Sequence, residues 1–221
     1  MNELQKDIRA DAFKKSIRFI NYEIVEGDII EFGVYSGRSL ALLSYFHDLY
    51  YKNENKVNSK FRIDRKIYGL DSFEGLPDGE DHPRWYTNLF KKNHSSHPVI
   101  AKDIVITPEI IEQFFESIEL NKPIIIKGFY NQINLDNIEK LALVHIDCDL
   151  YSSTKEALNL IKDKLCTGTI ILFDDWFNFK ADENMGEQKA FNEFLKNNKN
   201  IKAVEFLRYA TFCKAFVLKV E

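Results

Sequence analysis

Two acidic pairs stand directly after apolar runs. Asp147 and Asp149 follow LALVHI, and Asp174 and Asp175 follow TIILF. If those runs are neighbouring strands of a parallel sheet, their carboxyl ends share one rim, where ligands bind. Four carboxylates gathered there repel one another and raise one another's pKa. A hard divalent cation removes that penalty, and oxygen donors select Mg²⁺, Ca²⁺ or Mn²⁺ over zinc. A single DxD or DD is ordinary turn chemistry. The same pattern after two apolar runs points to a site.

Two other strand ends carry candidates. Glu31-Phe-Gly33-Val-Tyr35-Ser-Gly37-Arg-Ser39 joins an apolar run to a helical pattern. Its glycines allow a tight turn and a close ligand approach, and the helix that follows offers free N–H groups to an anion. It is not GxGxxG, which favours a group smaller than a dinucleotide pyrophosphate. Asp71-Ser72 ends the next apolar run, the position that takes ribose hydroxyls in nucleotide-binding sheets. Asp71 lies 34 residues beyond Gly37, against a usual spacing of about 20; the polar run after Tyr51 accounts for the excess.

Histidines contribute less. His145 shares a face with Asp147 by strand parity and reads as a packed residue. His82, His94 and His97 have no cysteine or HExxH partner and form no convincing metal set. Trp85, Tyr86 and Phe90 suit a lid or an acceptor wall as well as local packing.

These residues need a scaffold, and the patterning supplies one. Strands are expected at 28–34, 66–70, 123–127, 141–147, 169–173, 203–207 and 211–220. Helices are expected at 38–51, 109–120, 152–165 and 187–197, with Thr107 capping the second and Ser152 or Ser153 the third. Strand–helix alternation predicts an α/β fold: a mostly parallel seven-stranded sheet, helices on both faces, and a C-terminal antiparallel hairpin. The stretch 72–106 is irregular, and a loop that long is usually functional. Residues 1–26 form an N-terminal helical segment, and 52–65 a solvated loop.

Composition bounds the class. The 221 residues are 45% hydrophobic and 14% aromatic, enough for a core and too much for disorder. A net charge of −4 argues against nucleic-acid binding, which goes with a basic excess. Three cysteines without tandem spacing fit a reducing compartment. The charged N-terminus is unlike a signal peptide, and no apolar run could span a bilayer. A soluble, cytoplasmic, single-domain protein is expected over 1–221.

The residues also resemble a known family. EFGVYSGRS (31–39), LDSFEGLP (70–77), KGFYNQ (127–132), HIDCDLYSST (145–154), ILFDDW (171–176) and MGEQKAFNEF (185–194) run in the order seen in the macrocin O-methyltransferases. Those enzymes methylate sugar hydroxyls with S-adenosylmethionine and a metal ion. The glycine segment also resembles that of the catechol methyltransferases. The resemblance implies a Rossmann-like class I methyltransferase fold. It implies that Glu31, Gly33, Tyr35, Gly37 and Ser39 line the methionine end of S-adenosylmethionine, and that Asp71 and Ser72 hold its ribose. It implies that Asp147, Asp174 and Asp175 bind Mg²⁺ or another hard divalent cation, with Asp147 serving catalysis through that ion and Asp149 as general base. The partner implied is a small sugar-containing acceptor, with a homo-oligomer as an open alternative to a monomer. Two departures stand out: an N-terminal region shorter than in many members, and Asn131-Gln132 in place of an acidic residue and threonine.

The main rival is a metal-dependent nucleotide-sugar glycosyltransferase using the Asp147-Cys148-Asp149 pair. It leaves the glycine segment and the Asp174-Asp175 pair without a task.

Overall fold

The computed structural model describes residues 5–53, 63–77, 84–94, 97 and 99–221. His82 and residues 54–62 of the polar run lie outside the described residues. Seven strands form one sheet: β1 (Asp28–Phe32), β2 (Ile67–Asp71), β3 (Ile124–Lys127), β4 (Leu141–Ile146), β5 (Leu165–Phe173), β6 (Ile201–Tyr209) and β7 (Cys213–Val220). Their order is β3-β2-β1-β4-β5-β7-β6. The first five run parallel, and β7 pairs antiparallel with both β5 and β6. The strand order reverses between β1 and β4, and the crevice at such a switch point is where open α/β sheets bind ligands.

Among the described residues, five α-helices cover the two faces: α1 (Ala10–Tyr22), α2 (Arg38–Asn53), α3 (Pro108–Ser117), α4 (Tyr151–Ile161) and α5 (Gly186–Asn197). Alternate strand residues serve alternate faces. Ile29, Leu143 and Leu172 pack with Phe13 and Ile17 of α1, Leu42 of α2 and Phe114 of α3. Ile30, Val144 and Phe173 pack with Leu158 of α4 and Phe191 of α5. This two-sided burial explains why the β4 run is apolar at nearly every position. Phe173 is fully buried, 4.9 Å from the Phe191 ring and 5.1 Å from that of Trp176. It thereby anchors the strand end that carries Asp174.

Several boundaries differ from expectation. Thr107 does cap α3, its Oγ1 accepting from the Ile110 N–H at 3.4 Å. Neither Ser152 nor Ser153 caps α4, which starts a residue earlier, after Leu150. That helix stops at Ile161, and β5 begins at Leu165, four residues early. The cause is tertiary: Leu165 aligns with Leu141 of β4, and the Thr169 hydroxyl donates to the Leu141 carbonyl at 2.6 Å. The described part of 72–106 holds no helix or strand, only an isolated Lys92–Val105 bridge. All three cysteines are free. Among the described residues, no helix is long and apolar enough to cross a membrane.

One glycine couples sheet to site. Gly33 has φ +87°, and a Cβ there would sit 1.7 Å from the Asp147 carbonyl oxygen. Both the left-handed backbone and the contact exclude a side chain. Gly33→Ala is expected to cost more than about 3 kcal/mol in a denaturant melt. An unchanged midpoint would mean that the β1 and β4 ends are not packed this closely.

Candidate functional site

At the end of β1 the chain turns through Tyr35 (φ +44°) and Gly37 (φ +75°) into α2. Asp71, at the end of β2, braces that turn. Its Oδ2 accepts from the N–H groups of Val34 and Tyr35 at 2.9 and 3.0 Å, and its Oδ1 accepts from the Phe73 N–H at 2.8 Å. Three charge-assisted bonds use most of the carboxylate's acceptor capacity. The irregular segment is pinned to the same turn: the Tyr35 hydroxyl accepts from the His94 N–H at 2.6 Å, and the Tyr35 ring meets Phe90 at 5.1 Å.

This turn forms one wall of a cavity of about 760 Å³, within the range of small-molecule sites. Gly33, Tyr35, Ser39, Asp71 and Ser72 line it, as do Asp147 and Asp149 beyond the end of β4. Asn131, Gln132, Ser152, Ser153 and Glu156 line a further polar part. Phe90 is in the lining, whereas Trp85 and Tyr86 are not.

Two residues expected at the methionine end are elsewhere. Glu31 is completely buried, its Oε2 2.8 Å from His145 Nδ1 on the adjacent strand, because Glu31 and His145 are register partners. Gly37 turns toward α3, where an added Cβ would meet the Ile111 side chain at 3.3 Å. Neither lines the cavity.

The acidic trio is also rearranged. Potential ligand atoms of His145, Asp147 and Asp174 lie within 4.8 Å of one another, and Asp175 is not in that group. The Asp175 carboxylate instead takes a hydrogen bond from the Asn178 amide and interacts with Asp149. Its backbone N–H donates to Glu187 Oε2 at 3.0 Å. Asp149 is buried in left-handed backbone at φ +60°, a conformation that non-glycine residues hold only where the surroundings impose it.

Six carboxylates interact across this cluster: Glu31, Asp147, Asp149, Asp174, Asp175 and Glu187. Arg9 and His145 answer them. Arg9 Nη1 lies 3.1 Å from Asp147 Oδ2 and 3.6 Å from Asp174 Oδ2. Burial opposes the charge on His145, but Asp174 and Glu31 overcome it and hold the pKa up at about 10. Burial likewise opposes ionisation of Asp174, whose pKa His145 and Arg9 nevertheless pull down to about 2. Elsewhere negative charge is in surplus. Burial and the charge of Asp147 push Asp149 up to about 8, and burial with neighbouring carboxylates raises Asp147, Asp175 and Glu187 well above the usual range. Buried Glu31 Oε1 and Glu187 Oε1 have no hydrogen-bond partner among the described residues. The donor chemistry therefore fits a further cation. Asp147 and Asp174 are its natural holders, because one point already lies close to an oxygen of each. A protonated His145 is a counter-ion there and not a ligand.

Sequence reasoning missed Arg9, Glu187 and the part played by His145. Strand parity had placed His145 beside Asp147. Nothing local marks Arg9, whose partner Asp147 is 138 positions away.

Comparison with known proteins adds an independent line. The family model for macrocin-O-methyltransferase (TylF) matches residues 5–207. A demethyldecarbamoylnovobiocin O-methyltransferase from Streptomyces niveus is 28% identical over 160 residues, covering 69% of this chain and 53% of that protein. The match thus spans about half the length of that curated relative. The O-methyltransferase NovP superposes with a TM-score of 0.66 at 18% identity, over 96% of this chain and 80% of that one. The apo structure of CalS11, a TDP-rhamnose 3'-O-methyltransferase of calicheamicin biosynthesis, gives 0.57 at 20%, over 98% and 79%. At these identities the superpositions establish the fold, that of the class I O-methyltransferases.

Proposed function

From the premise that the chain belongs to the macrocin-O-methyltransferase family, we propose that it transfers the methyl group of S-adenosylmethionine to a hydroxyl of a sugar-bearing small molecule, with Mg²⁺ or a similar ion held by Asp147 and Asp174. The observation that carries this reading is one continuous cavity joining the Asp71-braced glycine turn to Asp147 and Asp149. The sugar class draws on the relatives, one named for a novobiocin precursor and one for TDP-rhamnose. The polar lining from Asn131, Gln132, Ser152, Ser153 and Glu156 suits an acceptor rich in hydroxyls. The matched family lends no support to glycosyl transfer.

Each residue has a physical task in this reading. The backbone of Gly33–Ser36 leaves room for the methionine end, with Ser39 and the first N–H groups of α2 facing its carboxylate. Asp71 fixes that backbone, and its remaining lone pair and Ser72 face the ribose. S-adenosylmethionine supplies an electrophilic methyl group on a sulfonium. A divalent cation at Asp147 and Asp174 would supply positive charge that favours ionisation of the acceptor hydroxyl. Asp149 takes the hydroxyl proton; burial raises its affinity for that proton above that of an ordinary aspartate, which makes it the stronger base of the two. The buried floor of Glu31 and His145 keeps Asp174 ionised. Holding donor and acceptor in line within the one cavity supplies much of the acceleration. Localisation in the cytoplasm goes with this reading through the three free thiols.

The direct test is incubation with S-adenosylmethionine, Mg²⁺ and a panel of nucleotide sugars and glycosylated aromatics. The expected result is acceptor-dependent S-adenosylhomocysteine with a product heavier by one methylene unit, lost on chelation and restored by Mg²⁺. Turnover indifferent to chelation would remove the metal from the proposal and leave methyl transfer standing.

A further inference from the structure

The two carboxylates assigned to a divalent cation are already met by a cation, and it belongs to the chain itself. Arg9 sits at the start of α1 with its side chain 17% exposed, and it lines the cavity wall. Its guanidinium is aimed. Asp7 takes Nε through Oδ1 at 3.0 Å and Nη2 through Oδ2 at 3.2 Å, and its Oδ1 also accepts from the Arg9 backbone N–H at 3.0 Å. That fork leaves Nη1 to face Asp147 and Asp174. A planar guanidinium gripped on one edge presents the other with little freedom left to lose.

We propose that Arg9 holds the place of the divalent cation, so that cation entry drives Arg9 off Asp147 and Asp174 and releases the N-terminal segment around Asp7–Arg9 from the cavity wall. This rests on the reading that Asp147 and Asp174 bind a divalent cation. Two considerations lead to it. A single nitrogen reaches an oxygen of each carboxylate, at 3.1 and 3.6 Å, which is the point a shared ion needs. Two cations at that point repel strongly in a partly buried setting. The coupling is reciprocal: whatever loosens Arg9 tightens the ion, and the ion loosens the segment by the same free energy. The Asp7–Arg9 segment would then stay docked in the metal's absence and open one side of the cavity when the metal arrives.

The test is calorimetric titration with Mn²⁺ of the wild-type chain, Arg9→Met, Asp7→Asn and Asp147→Asn, with amide exchange of the wild-type N-terminal segment measured with and without Mn²⁺. Arg9→Met keeps the apolar stem and removes the charge. Asp7→Asn keeps the charge and loosens its grip, so the test stands if Arg9→Met fails to fold. The expected result is Mn²⁺ bound about tenfold or more tightly by Arg9→Met, an intermediate gain in Asp7→Asn, and faster exchange around Asp7–Arg9 once Mn²⁺ is added to the wild type. Equal or weaker affinity in both variants, with binding still abolished by Asp147→Asn, would overturn the competition and leave the metal reading intact. Unchanged exchange on saturation would also overturn it. No Mn²⁺ binding by any of the four proteins would overturn the metal reading, and the competition with it.

Discussion

Replacing Asp147 with asparagine is expected to lower kcat for methyl transfer by about 10³-fold while leaving S-adenosylhomocysteine affinity within about threefold. The substitution keeps shape and removes one charge from a point that Asp174 and Arg9 share. It leaves the backbone of Asp147 in place, and that backbone is what touches Gly33. Its side chain accepts from Arg9, whereas the turn that would hold the cofactor is braced by Asp71. S-adenosylhomocysteine carries no sulfonium charge, so its binding is insensitive to the lost attraction. The measurement is kcat at saturating S-adenosylmethionine beside a calorimetric titration of the product. Retained turnover would remove Asp147 from the chemistry.

The second large effect is at Asp71, and it runs the other way. Asp71→Ala is expected to weaken S-adenosylhomocysteine binding by about 10- to 100-fold, following from one lost hydrogen bond to a charged acceptor. The reason is chiefly the turn. Val34, Tyr35 and Phe73 each lose the carboxylate that accepts their N–H, so the backbone on which the ligand lies is no longer held. A lower unfolding midpoint should accompany the loss, because those donors are left without a partner. Asp71→Asn keeps one acceptor oxygen and should fall between. Calorimetry on the three proteins decides it. If Asp147→Asn and Asp71→Ala lose cofactor affinity equally, the division of the cavity into a cofactor end and a reacting end is wrong.

The contrast between these two residues shows what was legible in the sequence. The sheet was, because parallel strands buried on both faces are written as apolar runs, and each run ends where its acidic or glycine residue begins. That rule alone pointed to Asp71, Asp147, Asp149 and Asp174, of which the first three line the cavity and Asp174 sits beside it against Arg9 and His145. What the rule lacks is the direction of a side chain after the strand has ended. Asp174 and Asp175 are neighbours in sequence, yet the first faces His145 and Arg9 while the second turns to Asn178 and Asp149. Ser152 and Ser153 look like helix caps and instead line the cavity. Glu31 looks like a cofactor contact and instead pairs with His145, a match that depends on the β1–β4 register. Arg9 depends on how the N-terminal helix docks over the sheet, and short-range periodicity carries no information about that.

The central claim is that the cavity is built for S-adenosylmethionine. It is tested most directly by calorimetric titration of the purified chain with S-adenosylhomocysteine, run beside uridine diphosphate with Mg²⁺. Saturable binding of S-adenosylhomocysteine, with no heat from the diphosphate, is the predicted result. Saturable binding of the diphosphate, with none of S-adenosylhomocysteine, would contradict it and assign the acidic rim to a nucleotide sugar.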